Sequence, residues 1–198
     1  MKILQHLTLP QLRRAAEQLG CAVEMVIAVA EVESAPGGPV LDDGRPAILF
    51  ERHWFHKLTG GRWSKGHPQI SSSQTGGYKG GAEEWLRLAA ARTLDEDAAL
   101  MSASWGLFQI LGVNHKSAGF ETVEDMVAMM SRRKLEGGLR LVPEQLDAFV
   151  AFCRSKGLEG PLRREDVVTV ARIYNGKGFA ANRYDQKLAT ALIAARKR

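Results

Sequence analysis

The chain has 198 residues, of which 45% are hydrophobic and 25% are charged, as in an ordinary soluble globular protein. This length suits one domain with a real core, and no stretch reaches the roughly 18 apolar residues of a membrane span. The net charge of +5 suits a polyanionic partner, either nucleic acid or an anionic cell-wall surface. Because no basic stripe alternates with aromatic residues, we expect no nucleic-acid partner.

The cysteines and histidines suggest neither a disulfide framework nor a metal centre. Cys21 and Cys153 lie among apolar residues, outside any Cys-x-x-Cys pair, and are expected to pack as small hydrophobes. The sequence does not decide whether these two cysteines form a disulfide bond with each other. The histidines show no metal-ligand spacing with acidic partners, so we predict no metal and no cofactor.

The N-terminal half begins with two predicted helices. Thr8 as a cap, Pro10 in the first turn and Gly20 at the end predict the first helix. The second is mostly apolar and stops just after Glu33, where the breaker cluster 35–39 follows. Further along we predict a turn over 42–46, a short buried strand over 47–50 and a long surface loop over 59–81.

From residue 82 onward the pattern is helical. The predicted segments are 82–92, 95–102, 105–112, 122–135, 143–156, 164–174 and 179–196. The fold is therefore expected to be mainly α, an α+β arrangement with a small strand and loop region near residues 40–80. Without a repeat or a long linker, residues 1–198 are expected to form a single domain.

The position of Glu33 is the strongest functional signal. A helix that ends there places its carboxyl at the mouth of a cleft with an apolar wall behind it. Such surroundings disfavour the ionised form and raise the pKa towards neutrality, as a proton-donating acid near pH 7 requires. The alternative is a plain polar helix end, although the helix dipole makes glutamate a poor choice there.

Two later segments add polar groups of the kind that bind sugars. In residues 102–110, Ser104 and Gln109 flank the flexible Gly106 and offer hydrogen bonds. Alternatively, Ser104 caps a buried helix that exposes one glutamine. In residues 173–179, Tyr174 and Asn175 either line a cleft or belong to a turn that ends a helix.

Together these blocks resemble the bacteriophage N-acetylmuramidase family of endolysins, within the lysozyme-like superfamily. The resemblance extends from about residue 8 to about residue 195. It rests on five motifs in order: Val29-Ala30-Glu31-Val32-Glu33-Ser34, Asp43-Gly44-Arg45-Pro46, Ile48-Leu49-Phe50-Glu51-Arg52-His53, Ser104-Trp105-Gly106-Leu107-Phe108-Gln109-Ile110 and Tyr174-Asn175-Gly176.

The resemblance implies a mostly helical, lysozyme-like domain that cleaves peptidoglycan between N-acetylmuramic acid and N-acetylglucosamine, with Glu33 as general acid. It also implies a catalytic domain without a separate wall-binding module. A lytic transglycosylase that leaves 1,6-anhydro ends and a non-catalytic wall-binding protein are the alternatives, and the resemblance favours hydrolysis. The residues expected to position the glycan are Ser104, Gln109, Tyr174 and Asn175, with Trp63, Tyr78 and Trp105 as candidate stacking faces.

A glycosidase usually needs a second carboxylate. Asp43 follows Glu33 by ten residues and is a candidate to position water, although aspartate before glycine is also a common turn residue. Glu51 ends the predicted strand and either joins the site or forms an ion pair that holds the strand end. The sequence does not choose between them.

The N-terminus shows no signal peptide. We therefore expect the protein to stay in the host cytoplasm until a separate holin-like partner opens the inner membrane, and then to act on the cell wall. A monomer without stable membrane insertion is expected. For the basic C-terminal helix the sequence leaves two alternatives: it docks on the protein with a frayed tail, or it contacts anionic lipid or lipopolysaccharide.

Overall fold

The computed structural model describes residues 3–34, 38–132, 134–136 and 139–197. Its chain divides into two compact units, one comprising Met1–Ser34 and Arg133–Arg198 and the other Ala35–Arg132. This division does not test the expectation of a single catalytic domain. Within the described ranges, no helix combines the length and the apolar character that crossing a membrane demands.

Helices dominate the described chain, and the strands are short. The helices are α1 (Leu9–Leu19), α2 (Val23–Glu33), α3 (Arg52–Leu58), α4 (Ala82–Arg92), α5 (Glu96–Met101), α6 (Val123–Met130), α7 (Pro143–Ser155), α8 (Glu159–Arg163), α9 (Val167–Asn175) and α10 (Tyr184–Arg196). The strands are β1 (Ile48–Phe50), β2 (Ala103–Trp105), β3 (Ile110–Leu111), β4 (Lys134–Glu136) and β5 (Leu139–Leu141).

The first unit is built around α2, which packs against α1 and α10. The residues from Met25 to Ala30 are all buried, because these consecutive residues are apolar and cover every side of the middle of the helix. The predicted ends of α1 are confirmed: the Gln11 side chain accepts the Thr8 N–H at 2.8 Å, and Gly20 takes the left-handed conformation. Cys21 and Cys153, also in this unit, are free thiols.

The second unit carries a three-stranded antiparallel sheet in the order β1, β2, β3. The buried strand predicted at 47–50 is confirmed as β1, in which Ile48 lies opposite Trp105 of β2. The helix predicted over 105–112 is wrong, because this segment comprises the end of β2, a turn over 106–109 and then β3. Gly106 and Gln109 have left-handed φ angles of 68° and 45°, which interrupt any helix.

Other predicted boundaries also need correction. The helix expected over 122–135 ends at Met130, and the chain continues through β4 into an antiparallel pair with β5. The last helix begins at Tyr184 instead of residue 179. The long loop 59–81 contains no helix or strand, as expected. The sheet near residues 40–80 is completed by strands from residues 103–111, which sequence proximity alone does not reveal.

A buried ion pair joins several segments of the second unit. Glu84 and Arg87 lie one turn apart on α4 with their charged atoms 2.6 Å apart, and the Glu84 side chain is 0% exposed. Glu84 also accepts backbone N–H groups of Phe50, Lys79 and Gly80, at 3.0, 2.5 and 3.0 Å. Burial alone would raise the pKa of Glu84, but these donors and Arg87 outweigh it and lower the pKa below its ordinary value.

Replacing Glu84 with glutamine is expected to lower the free energy of unfolding by about 3–5 kcal/mol, since Arg87 would stay buried without its counter-charge. The lowered pKa means that Glu84 stabilises the fold above its ordinary pKa and loses this effect as the pH falls through its folded value. Urea unfolding at neutral and acid pH measures both effects. Glu83→Gln, an exposed neighbour on the same helix, is the matched control. Equal unfolding free energies in both variants at neutral pH would contradict the expectation.

Candidate active site

Glu33 is the last residue of α2, as the sequence predicts. Ser34 ends the helix, and both its backbone N–H and its hydroxyl donate to the Ala30 carbonyl, at 2.9 and 2.7 Å. Burial raises the pKa of the Glu33 carboxyl from 4.5 to about 7, while a Tyr184 hydrogen bond and the Lys187 charge act in the opposite direction. The carboxyl is therefore substantially protonated near neutral pH.

The direct partner of Glu33 is Tyr184, at the start of α10. Its hydroxyl donates a hydrogen bond to Oε1 of Glu33. The pKa of Tyr184 is raised far above its ordinary value, mainly by burial and secondly by the charge of Glu33. The hydroxyl therefore stays protonated and remains a donor. Tyr184 is not among the site residues that the sequence predicts. The signal was a tyrosine on the apolar face of the last helix, where a buried hydroxyl needs a partner.

Tyr174, a predicted site residue, lies next to this pair. Its ring stacks on the Tyr184 ring, with centroids 6.2 Å apart and planes 16° apart. The other side of the cluster is formed by Phe149 and Phe152 of α7, at 6.3 and 5.5 Å from the Tyr174 centroid. The first unit thus brings Glu33 and Tyr174 together through Tyr184, within an aromatic cluster.

Asn175, the next predicted residue, ends α9 and is exposed. Its side-chain oxygen accepts a long hydrogen bond of 3.4 Å from the Asn182 amide. Lys187, one turn beyond Tyr184 on α10, is also exposed and lowers the pKa of Glu33 by its charge. Two groups that act on the acid, the Tyr184 hydroxyl and the Lys187 charge, therefore come from α10.

In the second unit, Glu51 and Tyr78 are in contact. The Tyr78 hydroxyl donates to Oε2 of Glu51 at 2.8 Å, and Nδ1 of His53 lies 3.1 Å from the same oxygen. Burial and the Glu51 carboxylate raise the pKa of Tyr78 well above its ordinary value. The Tyr78 residue is 44% exposed. Two of the predicted site residues thus form one hydrogen-bonded group.

Asp43, the other candidate for the second carboxylate, pairs with Arg45. Its Oδ1 accepts the Arg45 N–H at 3.0 Å, and its Oδ2 accepts the guanidinium at 2.6 and 2.9 Å. Gly44 between them has a φ of 88°. This is the geometry of a tight turn, and a catalytic role for Asp43 stays a prediction.

The remaining predicted residues lie in or near the sheet and the long loop. Ser104 belongs to β2, so its reading as a helix cap is wrong. The Gln109 amide donates to the Gly106 carbonyl at 2.7 Å, which stabilises the turn. Trp63 has the Arg62 guanidinium 5.8 Å from its ring centroid. Trp105 is fully buried and belongs to the core, so it offers no stacking face.

The described residues contain no group of three or more His, Cys, Asp or Glu side chains suited to a metal ion. A neutral carboxyl that is held by a hydroxyl donor suits general acid catalysis.

The profile of the N-acetylmuramidase family matches residues 22–195. The chain belongs to the N-acetylmuramidase family. A crystal structure of the Burkholderia AP3 phage endolysin is similar to this muramidase, with 37% sequence identity and a TM-score of 0.81 over 98% of this chain and 73% of that chain. Curated proteins gave no significant match. The lysozyme-like fold class and the assignment as a glycoside hydrolase acting on peptidoglycan are confirmed.

Replacing Glu33 with glutamine is expected to stabilise this muramidase at alkaline pH. The folded state raises the pKa of Glu33 from 4.5 to about 7, so the protonated form favours folding. That contribution is fully present below pH 4.5 and is lost as the pH rises through about 7. Above pH 8 the variant should be more stable than the wild type by roughly 1–3 kcal/mol, and the difference should vanish in acid.

Denaturant unfolding across this pH range measures the difference. Glu17→Gln on the exposed face of α1 is the matched control and should follow the wild type. If the free energy of unfolding depended on pH in the same way for the wild type and Glu33→Gln, the fold would not hold Glu33 in its protonated form.

Proposed function

We propose that this muramidase acts as an endolysin and that Glu33 is its general acid. The glycan bond between N-acetylmuramic acid and N-acetylglucosamine breaks when its oxygen receives a proton and the sugar develops oxocarbenium character. The observation that carries the proposal is the position of the Glu33 carboxyl at the end of α2, where it accepts the Tyr184 hydroxyl and where burial raises its pKa from 4.5 to about 7. A carboxyl in this state still holds its proton for a substantial part of the time near neutral pH.

The contacts of Glu33 support different roles for its two carboxyl oxygens. Oε1 accepts the Tyr184 hydroxyl, so the proton for the substrate resides on Oε2. When that proton leaves, the new carboxylate keeps the Tyr184 hydrogen bond and the favourable charge of Lys187. Both groups stabilise the ionised form that appears as the bond breaks, which lowers the barrier to proton transfer.

For the second carboxylate, we favour Glu51 over Asp43. The Tyr78 hydroxyl orients Glu51 through one oxygen, Oε2. Asp43 instead has both oxygens engaged by Arg45. In this proposal Glu51 activates water or stabilises the oxocarbenium-like state, and Asp43 stabilises its turn.

Each unit offers polar and aromatic groups as proposed contacts for the glycan. The proposed contact residues are Ser104, Gln109, Tyr174, Asn175, Trp63 and Tyr78. The exposed part of the Tyr78 ring offers a stacking face, and its hydroxyl holds Glu51 at the same time.

The cellular setting is part of the same proposal. The enzyme is proposed to be a monomer that remains in the host cytoplasm at first. It reaches peptidoglycan once a holin-like partner has opened the inner membrane. The net charge of +5 favours contact with an anionic wall. Lysis of cells that express the enzyme alone, with an intact inner membrane, would contradict the need for such a partner.

Mass spectrometry of soluble fragments from purified peptidoglycan tests the assigned roles. The wild type should release fragments with reducing N-acetylmuramic acid ends. Glu33→Gln should lose activity by at least about 1,000-fold while keeping its fold, because no other group replaces its proton. Glu51→Gln should lose at least about 100-fold, and Asp43→Asn less than about 5-fold. A fully active Glu33→Gln, or fragments lighter by one water at anhydro ends, would contradict the mechanism.

Replacing Tyr184 with phenylalanine should move the alkaline limb of the kcat profile to higher pH. Activity requires protonated Glu33 and therefore falls as the pH rises through about 7. The Tyr184 hydrogen bond lowers that pKa, so its loss makes Glu33 hold its proton more tightly, with a shift of up to about one pH unit. Lys187→Met should move the limb in the same direction, and Lys187→Arg should restore it. Thr190→Ala on the same helix is the control, and an unmoved limb in Tyr184→Phe would contradict this role.

A further inference from the structure

His53 lies in the first turn of α3, two residues after Glu51. Glu51 stands at the cap position of this helix, but its side chain makes no capping hydrogen bond. The carboxylate instead accepts the Tyr78 hydroxyl at 2.8 Å and lies 3.1 Å from Nδ1 of His53, in both cases through Oε2. The local chain geometry thus brings a carboxylate and an imidazole together.

The two nitrogens of the His53 ring have different surroundings. Nδ1 is buried beside Glu51, and its contact with Oε2 is electrostatic because the ring N–H direction misses hydrogen-bond geometry. Catalytic hydrogen bonds are often misaligned before substrate binds and become aligned in the complex. In the part of the chain that the structure describes, no protein group hydrogen-bonds Nε2, and this atom is open to solvent. The ring therefore keeps Nδ1 beside the carboxylate and presents Nε2 to water.

The Glu51 carboxylate determines which nitrogen carries the proton of the neutral His53 ring. A negative oxygen 3.1 Å from Nδ1 repels a lone pair at that position and attracts an N–H. The proton of the neutral ring therefore resides on Nδ1, and the lone pair is on Nε2. When Nε2 accepts a proton, the ring becomes a cation next to a carboxylate that stabilises it.

Access also distinguishes the imidazole from the carboxylate. The Glu51 side chain is 15% exposed and its Oε2 already has two partners, whereas the His53 side chain is 29% exposed. Water therefore has freer access to Nε2 than to Oε2. A carboxylate that orients an imidazole, whose other nitrogen faces a reacting O–H group, is an arrangement that activates hydroxyl nucleophiles in hydrolases.

The geometry points to Nε2 of His53 as the base that takes a proton from the attacking water, with Glu51 as a positioning residue that acts through the imidazole. This inference rests on the proposed roles of Glu51 and Glu33. The water oxygen bonds to the anomeric carbon while one of its protons moves to Nε2. The bond from that carbon to the leaving oxygen breaks, and the leaving oxygen takes the proton of Glu33. Solvent then carries the proton of the imidazolium back to Glu33, so one water is consumed and the enzyme is restored.

The first test measures initial rates on purified peptidoglycan with and without added imidazole. His53→Ala should lose at least about 100-fold, because a general base contributes at least that much. Imidazole should raise the rate of this variant by about 5-fold or more, since the free base enters the space that the ring leaves and accepts the proton. Alanine suits the first turn of a helix, and circular dichroism checks that the variant is folded.

Two further variants serve as controls for the imidazole effect. In His53→Gln the longer side chain fills the space, so the loss should be similar and imidazole should give little recovery. His67→Ala removes an exposed histidine of the same unit and should match the wild type, with or without imidazole.

A double variant tests whether Glu51 acts through His53. Residues that act as one unit lose little more together than alone, whereas the losses of independent groups multiply. Glu51→Gln combined with His53→Ala should therefore have a rate within about 3-fold of the less active single variant. Imidazole should not restore Glu51→Gln, because that variant still contains the His53 ring.

The outcomes separate the inference from the proposed function. A His53→Ala variant with a rate within about 3-fold of the wild type overturns the inference, as do losses that multiply in the double variant. A loss in His53→Ala that imidazole does not relieve would give His53 a structural role only, which overturns it as well. A fully active Glu51→Gln would instead refute the proposed role of Glu51, and a fully active Glu33→Gln the proposed acid.

Discussion

A carboxyl group that leaves water loses its hydration, and the protein must supply donors or a counter-charge if the group is to stay ionised. This constraint acts on two glutamates with opposite results. Glu84 receives three backbone N–H groups and the charge of Arg87, so its pKa falls and it joins several segments of the second unit. Glu33 receives one tyrosine hydroxyl and the charge of Lys187, which is too little to offset burial. One carboxyl therefore holds structure together, and the other retains a proton for chemistry.

The sequence predicts well those features that depend on neighbours along the chain. Thr8, Pro10 and Gly20 mark the ends of α1, and the end of α2 at Glu33 follows from the breakers after it. The motif order also leads to the correct family and class of enzyme. These signals are local in character, since caps, breakers and motifs act over a few residues.

Features that depend on distant parts of the chain escape such reasoning. The apolar segment around Trp105 suits a buried strand as well as a helix, and only its pairing with β1, more than fifty residues earlier, decides the matter. Tyr184 lies 151 residues after Glu33 in the sequence, so the residues around the acid do not indicate which group is its partner. Tyr78 and Glu51 are likewise predicted as two separate site residues, and only the structure shows that they are hydrogen-bonded to each other. Sequence reasoning thus identifies reactive groups more readily than the groups that tune them.

The long loop of the second unit is held in a way that has an evolutionary consequence. Several of its anchors are side chains outside the loop that bind its backbone: Arg52 binds the carbonyls of Gln74 and Thr75, Arg87 binds that of Gln69, and Glu84 binds the N–H groups of Lys79 and Gly80. Main-chain atoms are the same in almost every residue type. At these anchor points the path of the loop is therefore insensitive to side-chain identity, so positions 69, 74 and 75 can exchange residues while the scaffold beneath them stays constant.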